Sequence, residues 1–192
     1  MKKIMGIAFL CLAPLSASVA SDDVQARAEQ SKQVVQEFAG QLMMKMKTAM
    51  KQGGPVEAIK VCNESAPLIA GQISEKNNWK VGRTSLKLRN PANAPDAWEA
   101  TVLKKFAERR AAGESPEKMA YFEVVEEGGK KNFRFMKAIG MPPLQTMPCL
   151  KCHGENIDSN ISTKLKELYP TDKAVGYKPG EIRGAFTIVQ PM

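Results

Sequence analysis

Residues 149–153 read Cys-Leu-Lys-Cys-His, a C-x-x-C-H motif that constrains the chain more than any other stretch. Two thiols with two residues between them can each form a thioether to one vinyl group of a haem. The histidine that follows is then held against the iron as its proximal ligand. Cys149 and Cys152 are therefore the predicted attachment residues for a single covalent haem c, and His153 the predicted iron ligand. His153 is the only histidine in the chain, so no second histidine can complete the coordination.

The N-terminus fits this reading. Lys2 and Lys3 precede a stretch, residues 4–13, without a charged side chain, and Ser18-Val19-Ala20 is a small-residue cleavage site. Residues 1–20 thus read as a cleavable secretory signal, and residues 21–192 as one mature haem-binding domain. The apolar stretch is too short to span a bilayer, which takes about 20 residues. Cys11 follows the bulky Leu10, a poor context for lipidation. Export to the periplasm agrees with haem attachment, since c-type cytochromes mature outside the cytoplasm. Removing Lys2 and Lys3 lowers the formal charge from +8 to +6, 26 basic against 20 acidic side chains. These charges are scattered, with no basic, aromatic-interleaved patch of the kind that binds nucleic acid.

Cys11 leaves with the signal, so Cys62, Cys149 and Cys152 remain, an odd number for an exported chain. A Cys149–Cys152 redox pair is disfavoured, because thioredoxin-type motifs open a β-α-β unit and this one lies late, after Pro148. Zinc is disfavoured because the cysteines and the histidine lack paired spacing.

Along the chain, Val24, Ala28, Ser31, Val35, Phe38, Leu42, Met46 and Ala49 recur three or four apart and predict a helix over 23–52, capped by Ser21 or Asp22. Gly53-Gly54 stops it, and Pro55 opens a second helix over 55–76, bent at Pro67. Ile59, Cys62, Ala66, Ile69 and Ile73 form the inward face of that helix. Residues 79–89 read as extended, 95–112 as a third helix, and 115–117 as a short turn. Residues 120–125 and 132–139 are the strands of a hairpin turning at Gly128-Gly129. A short helix over 162–169 and a last strand over 184–189 follow. The strands argue against a four-helix cytochrome.

Methionine, cysteine, lysine, water or nothing could fill the sixth iron position. Methionines lie near the motif (Met141, Met147) and on the first helix (Met43, Met44, Met46, Met50), and Cys62 points inward. Methionine usually fills a core, and a free cysteine behaves as a small buried hydrophobe. Spacing and composition leave Cys62 and methionine undecided.

Six stretches, AIKVCNESAP (58–67), RTSLKLRNPANAPDAWE (83–99), YFEVVEE (121–127), CLKCHG (149–154), YPTDKAVGY (169–177) and GEIRGAF (180–186), carry a resemblance. In this order the chain resembles a bacterial family of exported c-type haem domains with a PAS-like fold, long known only as a domain of unknown function. The RNPxNxPxxWE segment is far more specific than C-x-x-C-H. The resemblance implies an α+β, PAS-like architecture with a central antiparallel sheet flanked by helices, the first of them long. It also implies haem ligation by His153 and by the helical Cys62, which accounts for the odd cysteine.

The expected role is a redox or diatomic-gas sensing domain able to carry one electron and to pass its state to a separate redox or signalling partner. A thiolate ligand stabilises ferric iron and lowers the reduction potential. Two protein ligands leave no open iron position, and no catalytic constellation appears beyond the haem, so no enzymatic reaction is expected. A plain electron carrier and a weak peroxidase are the alternatives. Arg83, Arg89 and Arg183 are candidate partners for the haem propionates, because guanidinium forks match carboxylates.

Overall fold

The computed structural model describes residues 16–143 and 148–192, with side chains from residue 21. Residues 1–15 of the expected signal, Cys11 included, and Met147 lie outside the described residues.

Helix α1 spans Ser16–Lys60. It starts upstream of the expected caps, since residues 16–20 hold no helix breaker. Its inward face follows the predicted spacing: Ala28, Ser31, Val35, Phe38, Leu42 and Ala49 are all buried. At Gly54 the backbone leaves helical geometry (φ 69°, ψ −158°). Glycine tolerates positive φ, and the following Pro55 has no N–H to continue the ladder. The predicted stop is thus a kink between two arms, and the arms fold back on one another. Sγ of Cys62 lies 3.8 Å from Sδ of Met46, sixteen residues away. A straight helix would separate them by about 24 Å.

The second arm does not run unbroken to residue 76. Val61–Ser65 widens into a π turn, closed by the Ala66 N–H on the Val61 carbonyl, and helix α2 then spans Ala66–Asn77. Pro67 offers a physical cause. In α geometry its ring would crowd the Asn63 carbonyl and offer it no N–H, and the wider turn relieves that conflict. Asn78 ends α2 in the left-handed region (φ 54°), which asparagine tolerates.

Strand β1 is Lys80–Thr84. It is shorter than the extended run expected over 79–89, because the chain leaves the sheet at Ser85, whose N–H bonds the Asn93 carbonyl. Helix α3, Ala97–Ala111, opens on a capping box in which Asp96 and Glu99 each accept the other's backbone N–H. Strands β2 (Ala120–Glu127) and β3 (Lys130–Gly140) form the predicted hairpin, slightly longer than expected. The one-turn helix α4 (Leu150–His153), helix α5 (Ser159–Leu168) and strand β4 (Ile182–Pro191) complete the described chain.

The strands form a sheet of order β1-β4-β3-β2 in which every pairing is antiparallel. Alternation along the strands gives it two apolar faces. Phe133, Phe135 and Ile188 meet Phe38, Ile69 and Ile73 of α1 and α2. Met136, Ala138 and Ala185 meet Val102, Leu103 and Phe106 of α3 on the other face. Each such large side chain contributes about 1.5–3 kcal/mol by leaving water. The result is the expected α+β, PAS-like arrangement, a central antiparallel sheet with helices on both faces and a long first helix. No helix among the described residues is long and apolar enough to cross a membrane.

Candidate functional site

A cavity of about 260 Å³ lies at the end of the sheet where β1 stops and the β3–β4 register shifts between Ile139 and Gly140. Both arms of α1, the π turn, the loop after β1, α4 and the start of β4 wall it. The predicted ligand and attachment residues Cys62, Cys149, Cys152 and His153 all line it.

Helix α4 explains how the motif reaches the cavity. Its single turn is closed by the His153 N–H on the Cys149 carbonyl at 3.0 Å. Residues spaced by three and four then share one face, which groups Cys149, Cys152 and His153. Gly154 ends the turn because a β-carbon there would stand 2.5 Å from the Leu150 carbonyl oxygen. The segment after α5 grips the histidine. Tyr177 N–H bonds the His153 carbonyl and Gly176 N–H bonds that of Gly154, each at 2.9 Å. The Tyr177 ring stands edge-on to the imidazole, centroids 6.3 Å apart.

The His153 Nδ1 lies 2.8 Å from the carbonyl oxygen of Ala174. A carbonyl only accepts, so Nδ1 carries the hydrogen and Nε2 keeps its lone pair. Burial, reinforced by the Arg89 charge, holds the His153 pKa well below its ordinary value. The imidazole is therefore neutral, the state a metal ligand requires.

Arg89, from the RNPxNxPxxWE segment, organises this arrangement. Its Nε bonds Asp172 Oδ2 at 3.0 Å, and its Nη2 bonds the carbonyls of Cys152 at 2.5 Å and Ala174 at 3.3 Å. Asp172 in turn accepts the Ala174 N–H at 2.8 Å. Both charged side chains are buried, 8% and 10% exposed. Two of its nitrogens are thus held within the protein, and the third, Nη1, lies 3.4 Å from the His153 Nε2. Arg183 reaches Ser85 Oγ at 2.8 Å, and the Arg83 guanidinium stands 5.8 Å from the centroid of the Phe38 ring. Neither has a carboxylate partner among the described residues. Burial lowers both pKa values, while Cys62 and Tyr169 oppose that effect at Arg83. The cavity therefore carries uncompensated positive charge, which suits an anionic group.

Among the described residues Cys62, Cys149 and Cys152 are free thiols. Burial pushes Cys152 up to about 11 and raises Cys149 as well. A redox C-x-x-C needs a depressed thiol pKa, so this environment speaks against that alternative. Cys62 sits in the π turn, a distortion frequent at functional sites. Of the candidate methionines, Met43, Met46, Met50 and Met141 line the cavity, Met44 is 65% exposed and outside it, and Met147 is not among the described residues.

Sequence reasoning did not assign the Ala174 and Asp172 contacts or the Cys62–Met46 contact. The first two lie in YPTDKAVGY, which carried the resemblance without a stated role. No local signal marks the third.

Comparison with known proteins adds the following. The family model described as Tll0287-like, Tll0287, matches residues 17–191. Among solved structures the chain is similar to the cyanobacterial heme-protein Tll0287. The identity is 24%, the match covers 92% of this chain and 97% of that one, and the TM-score is 0.60. That likeness carries the fold. No curated protein matches the sequence.

Proposed function

The chain belongs to the Tll0287-like family, and from that premise we propose that it is a periplasmic c-type haem domain that senses redox state or a diatomic gas and can carry one electron. The observation that carries this reading is the convergence of Cys62, Cys149, Cys152 and a neutral His153 on one arginine-bearing cavity. The similarity to a protein described as a heme-protein supports it.

In this reading the Cys149 and Cys152 sulfurs hold one haem through thioethers. His153 ligates through Nε2, kept in that tautomer by Ala174. Cys62 would supply the second protein ligand to the iron, and Arg83 and Arg183 would bind the propionates. The bound haem supplies a one-electron couple and, when a ligand leaves, a site for a small gas. An anionic Cys62 sulfur favours the ferric state and lowers the potential. If released, Cys62 would free the π turn that carries it, and a partner protein would read that change. The assignment includes export by residues 1–20 and no enzymatic reaction.

Optical and EPR spectra of the ferric protein, beside Cys62→Ala and Met147→Ala, test the ligation. Thiolate-type low-spin signals should disappear in Cys62→Ala alone. A Cys62→Ala spectrum like that of the parent would refute the assignment. Carbon monoxide or nitric oxide added to the reduced protein should displace a ligand. A fast reversible couple without ligand exchange would instead indicate a plain electron carrier.

A further inference from the structure

Two sulfur atoms, not one, stand together on the wall of the cavity. Sγ of Cys62 donates to Sδ of Met46 at 3.8 Å, and both residues line the cavity with His153. The contact is a product of the fold. It exists because the Gly54 kink turns the second arm of α1 back over the first.

We propose that Met46 is an alternative ligand for the coordination position held by Cys62, and that it takes over on one-electron reduction. The proposal rests on the reading that Cys62 ligates ferric iron. An anionic thiolate matches ferric iron, whereas a neutral thioether opposite histidine favours the ferrous state. With a one-electron donor, such as a reduced haem or flavin protein, the electron goes to the iron. The iron–Sγ bond breaks, its electron pair stays on Cys62, and that sulfur takes a proton from water. The Met46 Sδ lone pair forms the new bond, and Met46 stays neutral throughout. The exchange is short-range. Methionine is unbranched and has three rotatable side-chain bonds, so its sulfur can cover a few ångströms without moving the helix.

This assignment changes what a gas meets. In the reduced protein a diatomic ligand competes with Met46 for the position and does not find it open. Met43 and Met50 line the same cavity and provide internal controls.

The test compares the full haem-loaded protein with Met46→Leu, Met43→Leu, Met50→Leu and Cys62→Ala, in ferric and dithionite-reduced forms, by absorption, EPR and resonance Raman spectroscopy. Leucine keeps nearly the volume of methionine, so the fold should tolerate it. Met46→Leu should leave the ferric spectrum unchanged and turn the reduced protein from six-coordinate low-spin to five-coordinate high-spin. Its carbon monoxide association rate should rise about tenfold or more. The other two leucine variants should match the parent. Ferric Cys62→Ala should acquire the long-wavelength sulfur-to-iron charge-transfer band of thioether ligation, and the added Met46→Leu change should remove it. A reduced Met46→Leu protein that keeps the parent spectrum overturns the proposal alone, provided the ferric parent shows thiolate ligation. A ferric parent without that signature overturns both readings.

Discussion

The Nδ1–H of His153 donates to the Ala174 carbonyl across 2.8 Å, and this bond decides which ring nitrogen keeps its lone pair. The carbonyl is itself positioned from a distant part of the chain. Arg89 bonds both it and the Cys152 carbonyl, and Asp172 links the Arg89 guanidinium to the Ala174 N–H. The His153 side of the cavity is thus a small polar network around one imidazole.

Breaking that network should be expensive. Arg89→Ala leaves the Asp172 carboxylate buried without its partner and is expected to cost about 3–5 kcal/mol. Asp172→Ala should fall in a similar range, and the double variant should lose less than the sum. Urea unfolding arranged as a double-mutant cycle measures this coupling, and strict additivity would count against it.

Gly184 lies in β4 beside Thr84 of β1. A β-carbon there would collide with the Thr84 carbonyl oxygen, a backbone atom that cannot swing away. Gly184→Ala should destabilise the protein by about 1–3 kcal/mol. Amide hydrogen exchange should also accelerate selectively in Lys80–Thr84. Unchanged protection of that strand would contradict this close-approach account.

Asp96 links a helix cap to pH. Burial pushes its pKa up, but the Glu99 N–H and the Arg134 guanidinium outweigh that effect and leave it lowered. A carboxylate whose folded pKa is depressed stabilises the fold above its unfolded pKa and loses that contribution as pH falls through the folded one. Asp96→Ala should therefore cost about 1–2 kcal/mol at neutral pH, the size of a lost N-cap. The gap to the parent should close below the ordinary carboxylate range. Asp96→Asn, which keeps the capping oxygen, should cost less. Thermal or chemical unfolding across pH 2 to 7 reads the effect, and a gap that widened in acid would refute the sign.

Pro67 is the predicted origin of the π turn that carries Cys62. Pro67→Ala restores an N–H for the Asn63 carbonyl and removes the ring conflict, so the turn should close to α geometry. Removing the extra residue rotates Cys62 by about 100° relative to α2. A crystal structure should show the Ala66 N–H moved from Val61 to Cys62, and, on the proposed ligation, the ferric spectrum should lose the thiolate signature. Persistence of the Ala66–Val61 bond would show that something other than Pro67 holds the turn open.

Much of this architecture was readable locally. The buried face of α1 follows its three- and four-residue spacing from Ala28 to Ala49, and the hairpin turns at Gly128-Gly129 where expected. Gly54 does interrupt α1, although as a kink and not a stop. The π turn was less legible, because Pro67 announces a distortion without saying that the preceding turn will absorb it. The extended run was overestimated because nothing within 79–89 reveals the Ser85–Asn93 bond that pulls the chain out of the sheet.

The sequence by itself determined the local grammar: C-x-x-C-H at Cys149 to His153, the helix faces, the turns, and a single histidine. Only the tertiary structure decided the strand order β1-β4-β3-β2, the tie from Arg89 to Asp172 and Ala174, and the meeting of Cys62 with Met46. The division has a physical reason. Periodicity and turn chemistry act within a few residues, whereas these contacts form only after the sheet and the kinked helix bring distant side chains together. Cys62 and Met46 lie on the apolar faces of two helical stretches separated by Gly53-Gly54 in the sequence, and the bend at Gly54 makes them neighbours.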